Sequence, residues 1–319
     1  MRDWYARTKR DLPWRRTSDP YAIWVSEIML QQTRVAAVIP YYARFLERFP
    51  DAAALAAAPE QDLLACWSGL GYYSRARNLQ AAAREISAKG GFPRGYAELR
   101  ALPGIGDYTA AAIASIAFGL PYAVVDGNVL RVLSRLTNDS GDIGASITRK
   151  RLQAVASELL DERDPAGFNQ ALMELGATVC LPKQARCPEC PLLSHCAAHA
   201  AGMQNELPVR LRRGNRVEIE ATLLVVVRAG ALLLRQRGGS EVRMAGFWEL
   251  PDAARLPSAR LGRALGSFRH SITIHDYFVY VVAASVRGTP RGYEWVSPER
   301  LGAIPLATTT KKALRFSSL

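Results

Sequence analysis

The chain has 319 residues, 49% of them hydrophobic, enough for about two domains of roughly 150 residues, each with a real core. Its net charge of +12 suits a polyanionic partner. Neither a secretory signal nor a membrane span is legible. MRDWYARTKRDLPWRR holds no apolar stretch, and the longest uncharged run, Tyr108 to Val125, is broken by Gly119 and Pro121. The expectation is a cytoplasmic protein with no membrane partner.

From Tyr21 to about Gly202 helical periods alternate with short turns. In chain order they read WVSEIMLQQTRVAAVIPYYARFLERF, DAAALAAA, EQDLLACWSGL, SRARNLQAAAREISA, DYTAAAIASIAF and GNVLRVLSRL. Ala, Leu, Arg and Glu dominate, as helices favour. After MQNELPVRLRRGN the pattern changes to β-type runs: VEIEATLLVVV, ALLLRQR and DYFVYVVAASV. The predicted organisation is an all-α region over 1–202, a linker over 203–216 and an α+β domain over 217–319. The charge is uneven: residues 1–202 carry 23 basic and 20 acidic groups, residues 203–319 carry 18 and 9.

Four places carry chemistry. Glu27, in IWVSEIML, shares a helix face with Ile23, Trp24 and Leu30. Burial there raises a carboxyl's pKa, which is what a general acid needs; the plainer reading is a hydrogen-bonded buried acid. LPGIGDYTAAAI, Leu102–Ile113, places two glycines just ahead of an apolar helix. Backbone N–H groups and a helix N-terminus together make an anion site, so Gly104 and Gly106 are candidates to hold a DNA phosphate; an ordinary helix connection is the alternative. Asp126, in VVDGNVLRV, stands where an N-cap is expected and where the anion is favoured. A proton donor and a fixed anion are together suited to breaking a glycosidic bond, where positive charge develops on the sugar.

The fourth place is CLPKQARCPECPLLSHC, with Cys180, Cys187, Cys190 and Cys196 spaced C-x6-C-x2-C-x5-C. Four thiols in so short a segment imply a metal site. Zinc commonly uses two C-x2-C pairs and only one is present, whereas an iron–sulfur cluster accepts asymmetric spacing. Cys66, in LLACWSGL, reads as a small buried hydrophobe.

Taken in order, the cysteine spacing, LPGIGxYTA and VDGNVLRV resemble the helix–hairpin–helix DNA glycosylase superfamily. PWR at Pro13–Arg15, SEIMLQQTRV at Ser26–Val35 and GLGYYSRARNL at Gly69–Leu79 narrow the resemblance to adenine DNA glycosylases of the MutY type. It covers nearly all of residues 1–202. It implies a six-helix barrel with a 4Fe–4S cluster module. The implied substrate is double-stranded DNA carrying adenine opposite 8-oxoguanine, acted on by a nucleoid-associated monomer.

The resemblance implies residue roles as well. Glu27 would protonate adenine at N7, and Asp126 would stabilise or transiently trap the oxocarbenium-like sugar. Tyr108 and Asn128 would line the same pocket. Gln170 and Arg15 would contact the flipped base or its surroundings. Gln32, Thr33, Leu70 and Tyr72 would fill the duplex and touch the lesion side. Extrusion is needed because the target atoms are inaccessible inside the stack. In endonuclease III-type relatives the position of Tyr108 carries a lysine that attacks the sugar. Tyrosine forms no Schiff base, so the expected enzyme is monofunctional. A bifunctional pyrimidine-lesion glycosylase/lyase and a non-catalytic cluster-bearing DNA-binding protein are the alternatives.

The C-terminal domain resembles a Nudix-like fold through GFWELP at Gly246–Pro251. Residues 253–267 contain no Asp or Glu, so the acidic helix of a pyrophosphate hydrolase is missing. The family's lesion-contacting Phe-Ser-His triplet falls on Ile272, Thr273 and Ile274, with His275 next. Thr273 and His275 are the candidates for reading 8-oxoguanine, which carries a donor at N7 where guanine has an acceptor.

Overall fold

The computed structural model of the chain describes residues 1–211, 216–238, 244–272 and 274–317. Contacts divide it into two compact units: Met1–Ala57 with Asn78–Arg212, and Ala58–Arg77 with Arg213–Leu319. The segment 58–77, helical at 60–67 and from Ser74 onward with a loop between, thus counts with the C-terminal unit.

The first unit is built of helices. In chain order they are α1 (Arg2–Thr8), α2 (Pro20–Leu30), α3 (Val35–Arg48) and α4 (Ala52–Ala57). After α5 (Glu60–Trp67), which belongs to the second unit, come α6 (Ser74–Ala88), whose first turn also belongs there, and α7 (Tyr96–Arg100). They are followed by α8 (Asp107–Phe118), α9 (Gly127–Leu136), α10 (Ser146–Glu158), α11 (Pro165–Thr178) and α12 (Ala197–Ala200).

Helix α2 begins where Asp19 accepts from the N–H groups of Tyr21 and Ala22 and Pro20 supplies a preset φ. Every residue from Tyr21 to Met29 is buried, so this helix is surrounded by protein and carries Glu27 into the core. It packs on α8, whose buried run Thr109–Ser115 is rich in alanine and permits close approach. Helix α9 turns Val129, Val132 and Leu133 into a second cluster with Leu152, Leu172 and Leu175.

The long helical period from Trp24 to Phe49 does not run through. It breaks at 31–34, where Gln32 takes φ +58° and Gln31 directs its amide to Thr109 Oγ1 (3.3 Å). The two halves have different surroundings: α2 is buried all round, and α3 buries only Val38, Tyr42 and Phe45. A single straight helix cannot satisfy both.

The turn between α7 and α8 is pinned by Leu102 and Ile105, 2% and 3% exposed. Gly104 sits at φ +75°, and a Cβ there would lie 2.6 Å from Asn78 Cβ. Both the backbone angle and the close approach require glycine. Gly106 is the residue before the helix, with φ −90° and open space around it. The helix starts at Asp107, which pairs with Arg100 at 2.6 Å.

The second unit holds a sheet of β1 (Val217–Arg228), β2 (Ala231–Gln236), β3 (Trp248–Glu249), β4 (Arg260–Ile272), β5 (His275–Ser285) and β6 (Glu294–Val296), with α13 (Pro298–Leu301) and α14 (Thr308–Ala313). The strand order is β3-β2-β1-β5-β4, with β6 also on β2. β1 and β5 pair in parallel from Val217 opposite His275 onward, and the other pairings are antiparallel. Both faces are covered: Val225, Leu232 and Leu234 on one, Leu224, Val226 and Leu233 on the other. The acid-free stretch 253–267 forms a short turn at Ala253–Arg255 and the first part of β4. Segment 58–77 joins this unit through Ser68, whose hydroxyl donates to Leu306 O (3.3 Å), and through Tyr73, whose ring lies 4.0 Å from that of Phe247.

Gly104→Ala is expected to lower stability by about 1–3 kcal/mol, whereas Gly106→Ala costs under about 1 kcal/mol. Denaturant melts of the two variants check the contrast, and equal losses would mean that the turn tolerates a side chain at Gly104.

Candidate active site

A cavity of about 1250 Å³ opens in the first unit. Glu27, Tyr108, Asp126, Asn128, Arg15, Gln32, Thr33, Gly104, Gly106 and Gln170 all line it. Residues drawn from five separate stretches of sequence are thereby brought to one place.

Glu27 is 5% exposed. Its partner is the Tyr108 hydroxyl, which donates to Oε2 at 2.6 Å. Burial pushes the Glu27 carboxyl up to about 7; the Tyr108 hydrogen bond and Arg15 oppose this, and the Asp126 charge adds to it. The same burial, with Glu27 and Asp126 nearby, drives the Tyr108 phenol well above its usual range, so it remains a neutral donor.

Asp126 is the N-cap of α9. Its Oδ1 accepts from the Val129 N–H (2.7 Å) and its Oδ2 from Asn128 Nδ2 (2.9 Å). These donors favour the anion, but burial outweighs them and raises the pKa on balance. Asn128 is itself held: Arg131 Nη2 donates to Asn128 Oδ1 (2.9 Å) and to Gly176 O (2.8 Å), and Arg131 Nε to Cys180 O (2.8 Å).

One residue of this site has no counterpart in the sequence reading. Glu174, 0% exposed, accepts from the Arg10 N–H (3.0 Å), Arg10 Nε (2.8 Å), Arg10 Nη2 (2.7 Å) and Arg15 Nη2 (2.7 Å). Despite its burial these donors hold its carboxyl at about 2. The available signal was its spacing: Glu174 follows Gln170 by four residues on one helix, hence on one face. Gln170 accepts from the Tyr5 hydroxyl at 3.1 Å, and the Arg15 guanidinium lies over the Tyr5 ring.

The four cysteines gather in the loop between α11 and α12. Cys190 feels the charges of Cys180, Cys187 and Cys196, and Cys187 those of Cys180 and Cys196. Burial raises both thiols. The buried Arg135 guanidinium donates to Cys180 Sγ (3.3 Å) and Leu181 O (2.7 Å). Among the described residues no three His, Cys, Asp or Glu side chains stand close enough to share one ion. Cys66 is half-buried rather than fully inside.

Four candidates lie elsewhere or outside the described residues. Leu70 and Tyr72 belong to the second unit, where Leu70 is 7% and Tyr72 44% exposed. His275 opens β5, and its Nδ1 is buried with no hydrogen-bond partner. Thr273 lies outside the described residues.

The HhH-GPD superfamily of base excision DNA repair proteins matches residues 25–158, the span that holds Glu27, Tyr108, Asp126 and Asn128. Over 98% of this chain, the adenine DNA glycosylase of Mus musculus is 36% identical, with 76% of that protein covered. The Homo sapiens enzyme of the same name is 35% identical over 98% of this chain and 72% of its own length. The chain belongs to the adenine DNA glycosylase family. Among solved structures, a thermostable thymine-DNA glycosylase superposes at a TM-score of 0.56 with 29% identity, covering 63% of this chain and 93% of its own. The fold of 63% of this chain is thus shared with a glycosylase named for another base.

Glu27 holds its proton more tightly in the folded state than in the unfolded one. Between pH 4.5 and about 7 the native protein binds more protons, so stability declines as pH rises through that window. Glu27→Gln removes the penalty. It is expected to stabilise the protein by up to about 3 kcal/mol at pH 8 and by nothing at pH 4, from the size of the shift. Thermal melts of both proteins at the two pH values check this; an equal effect at both would mean that Glu27 is not held protonated by burial.

Proposed function

We propose that this chain removes adenine mispaired with 8-oxoguanine, and with guanine, from double-stranded DNA by extruding the base and breaking its N-glycosidic bond with acid assistance. The observation that carries the reading is the buried Glu27–Tyr108 pair opening on the same cavity as Asp126.

Adenine leaves the sugar poorly as an anion. A proton delivered by Glu27 at N7 turns it into a neutral leaving group. The Tyr108 hydroxyl orients the Glu27 carboxyl. As the bond lengthens, positive charge grows on the sugar, and Asp126, fixed by Val129 N–H and Asn128, stabilises it until a water adds at the anomeric carbon and gives up a proton. Tyr108 supplies no amine, so the strand stays intact after base release. Gly104 and Gly106 keep side chains off the hairpin, so that a phosphate beside the extruded nucleotide can approach its backbone and the start of α8. Gln170 and Arg15 border the base, and Gln32, Thr33, Leu70 and Tyr72 fill the duplex.

Cys180, Cys187, Cys190 and Cys196 would hold a 4Fe–4S cluster, which supplies a rigid cross-link for the loop between α11 and α12. The C-terminal unit, read as Nudix-like, would inspect the opposite base through Thr273 and His275. The protein is read as a monomer of the cytoplasm, associated with the nucleoid.

Glu27→Gln and Asp126→Asn are each expected to slow adenine release by about 10²- to 10⁴-fold while duplex affinity changes little, because phosphate contacts supply the affinity and these carboxyls act as the bond breaks. Single-turnover release from A opposite 8-oxoguanine, G, C and T, with and without alkali, measures the rate, the substrate preference and the need for alkali in strand cleavage. Parallel loss of affinity and rate would make the two carboxyls structural. For the cluster, four iron and four sulfide per chain are expected by chemical analysis. Cys66→Ser should leave that content unchanged, and zinc in place of iron would refute the assignment.

A further inference from the structure

The loop leading into α6 adopts a backbone that needs to be held. Gly69, Gly71 and Tyr72 have φ of +120°, +72° and +47°. The glycines take such angles freely, but a tyrosine does not. Both flanks are anchored. Trp67, fully buried, donates its Nε1 to Gly71 O (3.2 Å). Tyr73, 6% exposed, packs its ring at a 42° tilt against that of Phe247, and its hydroxyl oxygen accepts from the Gly69 N–H (3.4 Å). Tyr72, at the tip, is 44% exposed and receives no comparable burial.

One side chain reaches every part of this tip. The Arg75 guanidinium lies 5.6 Å from the centroid of the Tyr72 ring and 5.6 Å from that of Trp67. Its Nη2 donates to the carbonyls of Leu70 (3.3 Å) and Gly71 (3.2 Å). Its backbone N–H donates to Tyr72 O (2.9 Å). A planar cation that faces the ring and fills the carbonyls before it fixes ring and backbone together. Burial lowers the Arg75 pKa to about 10, still well above neutral, so the charge is retained.

We propose that Arg75 is a positioning residue that holds Tyr72 in its left-handed conformation before DNA arrives, so that the ring enters the duplex already ordered. The inference rests on the reading that Tyr72 fills the duplex and touches the lesion side. A lysine keeps the charge but loses the planar fork, and a glutamine keeps a donor but loses the cation.

The test is single-turnover adenine release by the full-length protein on two duplexes. One has A opposite 8-oxoguanine; the other has A opposite an abasic-site analogue, where no partner base need be displaced. Arg75→Lys and Arg75→Gln are each expected to slow release from the first by about five- to tenfold, the weight of a partly buried cation–π contact, and from the second by less than about twofold. Tyr72→Ala should show the same pattern, and Tyr72→Ala combined with Arg75→Lys should be no slower than Tyr72→Ala alone. Equal slowing on both duplexes, or losses that multiply in the double variant, would overturn the proposal and leave Arg75 a general brace of the loop. Melting temperatures accompany each variant; where one Arg75 variant unfolds below the assay temperature, the other carries the comparison. A wild-type protein that releases adenine from neither duplex overturns the underlying reading, and the proposal with it, a result distinct from any difference among the variants.

Discussion

Glu27 is a carboxyl inside a helix whose residues from Tyr21 to Met29 are all buried, and a single phenol hydroxyl donates to it. An acid in that position resists ionisation, and its pKa near 7 follows from desolvation that its neighbours offset only in part. Much of the first unit is arranged around this constraint. Helix α8 presents alanines to α2, so the two helices approach closely, and the turn before it places Tyr108 within 2.6 Å of the carboxyl. Holding Glu27 in this position costs stability as the pH rises through neutrality.

Burial raises the Asp126 pKa as it raises that of Glu27, but the two carboxyls differ in the donors they meet. Asp126 is nearly as enclosed, but it caps a helix and meets N–H donors, so its anion is supported where that of Glu27 is not. Two carboxyls facing one cavity thereby meet different environments. The support continues along α9: Asn128, Arg131 and Arg135 lie at helical spacing and join Asp126 to the cysteine loop through hydrogen bonds to Cys180 O and Cys180 Sγ. Glu174, by contrast, is buried and fully ionised, because four N–H donors converge on it.

The second unit uses another logic. Its sheet is covered on both faces, and the parallel pairing of β1 with β5 forms its longest register without interruption. Segment 58–77 adds a loop with left-handed residues, stiffened by aromatic rings and one arginine rather than by regular structure. A side chain that is already ordered loses less conformational freedom on binding than a mobile one.

Local features were legible in the sequence because local physics fixes them. The helices SRARNLQAAAREISA, DYTAAAIASIAF and GNVLRVLSRL appear with their predicted bounds, and Asp126 caps α9 as its position indicates. The apolar face around Glu27 and the cysteine spacing were equally plain. Other features depend on what packs against a segment from far along the chain. The break at Gln32 was hidden, because a continuous helical period says nothing of two different surroundings. Strand β4 was hidden because it is largely exposed and lacks a strong apolar alternation. The ionic partners of Glu174, Arg10 and Arg15, lie about 160 residues away, and the grouping of 58–77 with the C-terminal unit spans a similar distance. Sequence therefore determined which groups are available and how each local backbone turns; only tertiary packing decided which of them share a cavity, since burial and pairing are properties of neighbours that the chain brings together by folding.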